Sequence, residues 1–93
     1  MNVRLPASDT LVTPHAPGFP TMSYGPRVEK VDGIGNACME PPEGDEAAHV
    51  WAVYLLNRHG EWYWVADARF EKHARFIAEA FAAAWVEPQP SHT

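Results

Sequence analysis

The chain has little cysteine and no segment typical of export. Cys38 is the single cysteine among 93 residues, so a disulfide within the chain is excluded. Small proteins outside a reducing compartment usually depend on such bonds. The N-terminal stretch "MNVRLPASDTLVTPHAPG" also lacks the apolar region of a secretory signal. Together these features predict a cytoplasmic protein.

Basic residues and long apolar runs are scarce as well. Seven Lys and Arg residues stand against twelve Asp and Glu residues, which gives a net charge of −5. Binding nucleic acid through its phosphates needs clustered Lys and Arg, so this class of partner is not expected. No apolar run approaches the roughly 20 residues that a membrane-spanning helix needs. We therefore predict neither nucleic acid nor membrane as a partner.

Motifs for metal, cofactor or catalytic chemistry are not evident either. The sequence has no Cys-x-x-Cys or His-Glu-x-x-His spacing, and "GIGNAC" at 33–38 lacks the third glycine of a dinucleotide loop. We predict no metal, no cofactor and no catalytic residue. The alternative is a small thiol-dependent enzyme: if the turn centres on Glu43 and Gly44, Cys38 faces His49, whose imidazole could take the thiol proton.

What the chain does contain is a pattern of short strands followed by one helix. Four prolines in residues 1–23 disfavour regular structure, so we predict a Pro-rich extended arm there. Apolar segments at 27–40, 48–56 and 61–67 predict three strands, with 57–60 as a short hairpin loop. We interpret Gly33 and Gly35 as a bulge within the first strand.

From residue 68 onward the apolar period changes to three or four residues. This spacing predicts a helix over 68–86, with Asp67 as its N-cap and Pro88 beyond its end. Its core stripe would be Phe70, Ala74, Ile77, Phe81 and Trp85. The predicted fold is α+β: a three-stranded antiparallel meander with one long C-terminal helix packed on one face, in the order β-β-β-α. The single domain would span 24–88, with a tail at 89–93.

The third strand, "EWYWVAD", raises the question of where its large side chains lie. If the hairpin loop has four residues, Leu56 faces Glu61; if it has three, Asn57 faces Glu61. In either register both faces of the hairpin are apolar. One helix covers one face, and monomers rarely leave a large apolar patch exposed. The other face would be covered by the arm, by a second copy of the chain, or by another protein.

These patterns predict three groups of interaction residues. Aromatic side chains are enriched at protein interfaces, and prolines stiffen the acidic turn "PPEGDE", which suits it to a basic partner surface. A weaker apolar stripe on the helix predicts a homodimer. The aromatic group is Trp51, Tyr54, Trp62, Tyr63 and Trp64; the acidic group is Glu40, Glu43, Asp45 and Glu46; the self-association group is Phe76, Ala80 and Ala83.

Residues 53–84, "VYLLNRHGEWYWVADARFEKHARFIAEAFAAA", resemble a hairpin-plus-helix pattern of small proteins from phages, plasmids and integrated elements. A "VY" strand, a Gly turn, an "AD" strand end and an Ala-rich helix recur in those proteins. The resemblance implies an accessory protein of a mobile element, a class that includes inhibitors of host defence such as anti-CRISPR proteins. It implies no catalytic residues.

The preferred functional hypothesis is a small acidic, non-catalytic protein that binds another protein or itself. It would do so through an aromatic sheet face and the acidic turn. Two alternatives stay open: the thiol-dependent enzyme with Cys38 and His49, and a ligand-binding module with an aromatic pocket between sheet and arm.

Overall fold

An antiparallel sheet with one C-terminal helix forms the body of the protein in the computed structural model, which describes residues 5–85. The sheet has the order β1-β2-β4-β5, and β3 pairs with the C-terminal part of β2. The α+β class and the C-terminal helix are confirmed, but the sheet has five strands rather than a three-stranded meander. The elements are β1 (Thr10–Val12), β2 (Thr21–Val31), β3 (Ala37–Glu40), β4 (Val50–Leu56), β5 (Trp62–Ala68) and α1 (Glu71–Ala84).

The predicted first strand at 27–40 is in fact a hairpin. The early part of β2, 21–27, pairs with β4, and its last four residues pair with β3. Between β2 and β3, Oδ1 of Asp32 accepts hydrogen bonds from the backbone N–H groups of Ile34 and Asn36, both at 2.9 Å. Both bonds lower the pKa of Asp32, and the bond from Asn36 has the larger effect. Gly35 has a φ of +90°, which a tight turn allows glycine to adopt.

The N-terminal segment contributes to the sheet, unlike the arm that its prolines suggested. β1 pairs with residues 22–24 of β2, and Met22 is fully buried in the core. The prolines do not prevent this because Pro14, Pro17 and Pro20 lie in the connection between β1 and β2. Residues 1–4 of the predicted arm lie outside the described residues. The domain limits at 23 and 88 stay predictions.

The helix packs on the sheet through alanines. Ala74, Ala78 and Ala82 are buried, and small side chains at this spacing let the helix approach the strands closely. Ile77 and Phe81 of the predicted stripe pack beside them, but Phe70 is 54% exposed because it precedes the helix as its N-cap residue. The predicted start at residue 68 and the Asp67 cap are therefore wrong. The helix ends at Ala84, with Trp85 as an extended C-cap, so the predicted end at residue 86 is also wrong, whereas Pro88 and the tail lie outside the described residues.

The β4–β5 hairpin adopts the register with a three-residue loop. The backbone N–H of Asn57 donates to the carbonyl of Glu61 at 2.8 Å, and Leu56 faces Trp62. A bulge then leaves Val65 without a partner in β4, because Tyr54 faces Trp64 whereas Val53 faces Ala66. One extra residue reverses the facing of the strand beyond it. No helix in the described part of the chain is long and apolar enough to cross a membrane.

Candidate functional site

The sheet face opposite α1 holds the candidate site, and we call it the open face. Strand alternation and register place its residues, because side chains at every second position share a face. The bulge at Val65 moves Asp67 onto this face and turns Ala66 and Ala68 toward the helix. Its members are Leu11, Thr21, Ser23, Gly25, Arg27, Val50, Ala52, Tyr54, Leu56, Trp62, Trp64 and Asp67.

The five predicted aromatic residues divide between the two faces. Tyr54, Trp62 and Trp64 lie on the open face. Trp51 and Tyr63 lie on the helix side, where Trp51 packs against the core and Tyr63 is 53% exposed. The open face therefore has three of the five, and they sit in neighbouring positions on β4 and β5.

The segment before β1 lies on the open face, where it shares a cavity with Trp62 and forms an ion pair with Arg27. The Asp9 carboxylate forms two hydrogen bonds with the Arg27 guanidinium, Nη1 to Oδ1 and Nη2 to Oδ2, both at 2.8 Å. Arg27 is 3% exposed and the side chain of Asp9 is 1% exposed. The hydrogen bond with Asp9 raises the pKa of Arg27, so the guanidinium stays charged. This buried ion pair fastens the N-terminal segment to β2.

Gly25 makes room for that ion pair. A Cβ atom at this position would overlap with the Asp9 carboxylate, and the same atom would come within 3.1 Å of Nη1 of Arg27. Glycine inside a strand often marks such a close approach. The ion pair was missed by sequence reasoning, and a glycine between Tyr24 and Pro26, away from any turn, was the available signal.

A cavity of about 370 Å³ separates the N-terminal segment from Trp62. It corresponds in position to the aromatic pocket between sheet and arm that the ligand-binding alternative predicts. Its one aromatic residue is Trp62, and its carboxylate, Asp9, is already bound to Arg27. Leu5, Pro6, Ala7 and Leu11 complete its lining.

The other end of the open face carries an uncovered pocket of about 220 Å³, which we call the Trp64 pocket. The small, buried side chain of Ala52 leaves the depression between larger neighbours. Trp64 is 62% exposed at its edge, and its indole N–H donates to Oδ1 of Asp67 at 2.9 Å and to the carbonyl of Ala66 at 3.1 Å. The pocket is lined by Arg27, Met39, Ala52, Tyr54, Trp64 and Asp67.

The acidic turn starts beside this pocket, since Glu40 follows Met39 directly in the chain. Glu46 is not a bare charge: its carboxylate accepts from Nζ of Lys30 at 2.7 Å and from the backbone N–H of Glu43 at 2.9 Å. The bond with Lys30 lowers the pKa of Glu46, and the same bond raises the pKa of Lys30. Glu40, Glu43 and Asp45 are exposed.

The predicted pairing of Cys38 with His49 is wrong. Cys38 faces Lys30, because β3 pairs with β2 and not with β4. Nδ1 of His49 instead accepts a hydrogen bond from the backbone N–H of Glu29 at 3.1 Å. Residues 5–85 contain no group of three or more His, Cys, Asp or Glu side chains that could hold a metal ion.

The predicted self-association stripe lies on the outer surface of α1. Phe76 is 72% exposed, and Ala80 and Ala83 are exposed beside it. This stripe and the Trp64 pocket are on opposite sides of the sheet. Compared with known proteins, the chain matches no family model, no curated protein and no solved structure.

Proposed function

We propose that this protein is a small interaction protein that binds another protein, or a second copy of itself, through the Trp64 end of the open face. The observation that carries the proposal is a tryptophan that is 62% exposed at the edge of an apolar pocket. Tryptophan is enriched among the residues that contribute most to binding, and such residues sit in or beside pockets. The wider proposal of a mobile-element accessory protein in the cytoplasm has its support in the sequence alone.

The surroundings of Trp64 favour binding because they hold its side chain in one orientation. Its indole N–H has two acceptors, Asp67 and the carbonyl of Ala66. A side chain that is already ordered loses less conformational entropy when a partner binds. Arg27, which lines the pocket, is likewise held in place by its buried ion pair with Asp9.

The acidic turn has a supporting part in this proposal. Glu40, Glu43 and Asp45 are exposed next to the strand that contributes Met39 to the pocket. Exposed charges of one sign act mainly on the rate of association with an oppositely charged surface. Glu46 contributes less, since Lys30 balances its charge.

A second candidate interface is the stripe of Phe76, Ala80 and Ala83. The exposure of Phe76, 72%, favours it as a surface for a homodimer. Because it lies across the sheet from the Trp64 pocket, the two interfaces can be tested by separate substitutions.

Replacing Trp64 by serine tests the proposal, with Phe76→Ser as a matched control at another exposed aromatic residue. Immobilised protein is incubated with a bacterial lysate, retained proteins are quantified by mass spectrometry, and self-association is followed by light scattering. We expect Trp64→Ser to lower the affinity for the retained partner, or for the second copy in a dimer, at least about tenfold. The reason is that truncating a central tryptophan removes a main contact of the interface. Phe76→Ser should change the amount of retained partner little. The opposite pattern would assign the interface to the helix stripe and refute the proposal.

A further inference from the structure

The size of the Trp64 pocket restricts what can enter it. Its volume is about 220 Å³. Pockets that bind drug-sized molecules have volumes of about 300–1,000 Å³. The Trp64 pocket is below that range and suits one inserted side chain of a partner.

The charge of the lining selects the kind of side chain. Arg27 contributes a positive charge, but the Asp9 carboxylate neutralises it through two hydrogen bonds of 2.8 Å. Asp67 is exposed, and the donor that reaches its Oδ1 is the neutral indole N–H of Trp64. With Arg27 balanced by Asp9, the one charge of the lining that lacks an opposite partner in the pocket is the Asp67 carboxylate, beside the rings of Tyr54 and Trp64.

Aromatic rings next to a carboxylate attract cations. The face of an aromatic ring carries negative charge, so a cation within about 6 Å of its centre is stabilised. The protein already uses this interaction in the pocket wall, where Cζ of Arg27 lies 5.3 Å from the centre of the Tyr54 ring. A planar guanidinium can stack on a tryptophan and pair with a carboxylate, which an ammonium group does less well.

We infer that the Trp64 pocket binds an arginine side chain of the partner. The guanidinium would stack on Trp64 and pair with Asp67, while its methylene groups contact Met39 and Ala52. This inference rests on the proposed function, since it names the chemistry of the partner at the same surface. It also agrees with the net charge of −5, which favours a basic partner.

The test uses the short peptide acetyl-Gly-Ser-Arg-Ser-Gly-amide and a matched peptide with citrulline in place of arginine. Citrulline has nearly the same shape but no charge. Binding is measured on the ¹⁵N-labelled protein from the indole N–H signal of Trp64, assigned by its loss in Trp64→Phe. We expect a saturable shift with the arginine peptide at millimolar concentration and an affinity about fivefold lower for the citrulline peptide.

Asp67→Asn separates the charge of the pocket from its shape. The asparagine carbonyl can still accept from the indole of Trp64, so the side-chain arrangement is kept while the charge is removed. We expect the arginine peptide to bind this variant only as tightly as the citrulline peptide binds the unsubstituted protein. Glu79→Gln, which removes an exposed charge on α1 across the sheet from the pocket, should alter the affinity less than about twofold. Ala52→Leu, which fills the pocket, should abolish binding of both peptides.

Any one of three outcomes would overturn the inference. These are equal affinity of the two peptides, unchanged affinity of the arginine peptide for Asp67→Asn, or no shift of the Trp64 indole signal at arginine-peptide concentrations of about 10 mM. Each of these leaves the proposed function intact if partner retention still depends on Trp64. If retention does not depend on Trp64 but the arginine peptide binds, the pocket chemistry holds and the proposed function fails. The dispersion of the amide signals shows whether each variant is folded.

Discussion

Replacing Arg27 by methionine is expected to lower the free energy of unfolding by about 3–5 kcal/mol. Methionine fills similar volume but leaves the Asp9 carboxylate, whose side chain is 1% exposed, without a charged partner. A buried charge without a partner raises the free energy of the folded state, because it has lost both its hydration by water and the hydrogen bonds that compensated for that loss. Urea unfolding followed by tryptophan fluorescence measures the change.

Two further variants show whether the ion pair causes the loss. Asp9→Ala combined with Arg27→Met removes both charges, so the double variant should be more stable than the sum of the single effects implies. Lys30→Met, which breaks the exposed pair with Glu46, should leave the unfolding midpoint almost unchanged. A loss below about 1 kcal/mol in Arg27→Met would mean that the pair does not fasten the N-terminal segment.

Replacing Gly25 by alanine is expected to cost about 3 kcal/mol, a large effect for a single added methyl group. The new Cβ atom would overlap with the Asp9 carboxylate, so Asp9 must leave its position beside Arg27. The cost is then that of breaking the ion pair, and it does not arise from the backbone. Urea unfolding again provides the measurement.

The matched control is Gly33→Ala, because a Cβ atom at Gly33 would meet nothing within 4 Å. That variant should be nearly as stable as the natural protein. In a background where Asp9 is already alanine, adding Gly25→Ala should also cost little, since the side chain that it displaces is absent. Equal effects of Gly25→Ala in both backgrounds would contradict this explanation.

Local periodicity was sufficient to predict the helix, the β4–β5 hairpin and the α+β class. It was not sufficient for β1 and the start of β2, because the prolines around them resemble a linker. Only long-range pairing shows that Thr10–Val12 adds an edge strand and that Met22 is buried. The same holds for Asp9 and Arg27, which are 18 positions apart in the chain.

The residue types of the candidate site were predictable from the sequence, but which of those residues share one face of the sheet was not. Two apolar faces follow from "EWYWVAD" in either register, yet the bulge at Val65 decides which residues share a face. Asp67 illustrates the limit. Its position before the helical pattern indicated an N-cap, whereas the bulge places it in β5 beside Trp64, where its carboxylate accepts from the indole.

The central claim is that the N-terminal segment covers the Trp62 end of the open face and leaves the Trp64 end for a partner. Photo-cross-linking tests it most directly, with benzoylphenylalanine replacing Trp62 or Trp64, one at a time, in protein exposed to light in a bacterial lysate. At position 64 we predict an adduct with a second polypeptide chain. At position 62 we predict an adduct within the chain, mapped by peptide mass spectrometry to the segment Leu5–Asp9 that shares a cavity with Trp62. An adduct with a second chain from position 62, and none from position 64, would contradict the claim.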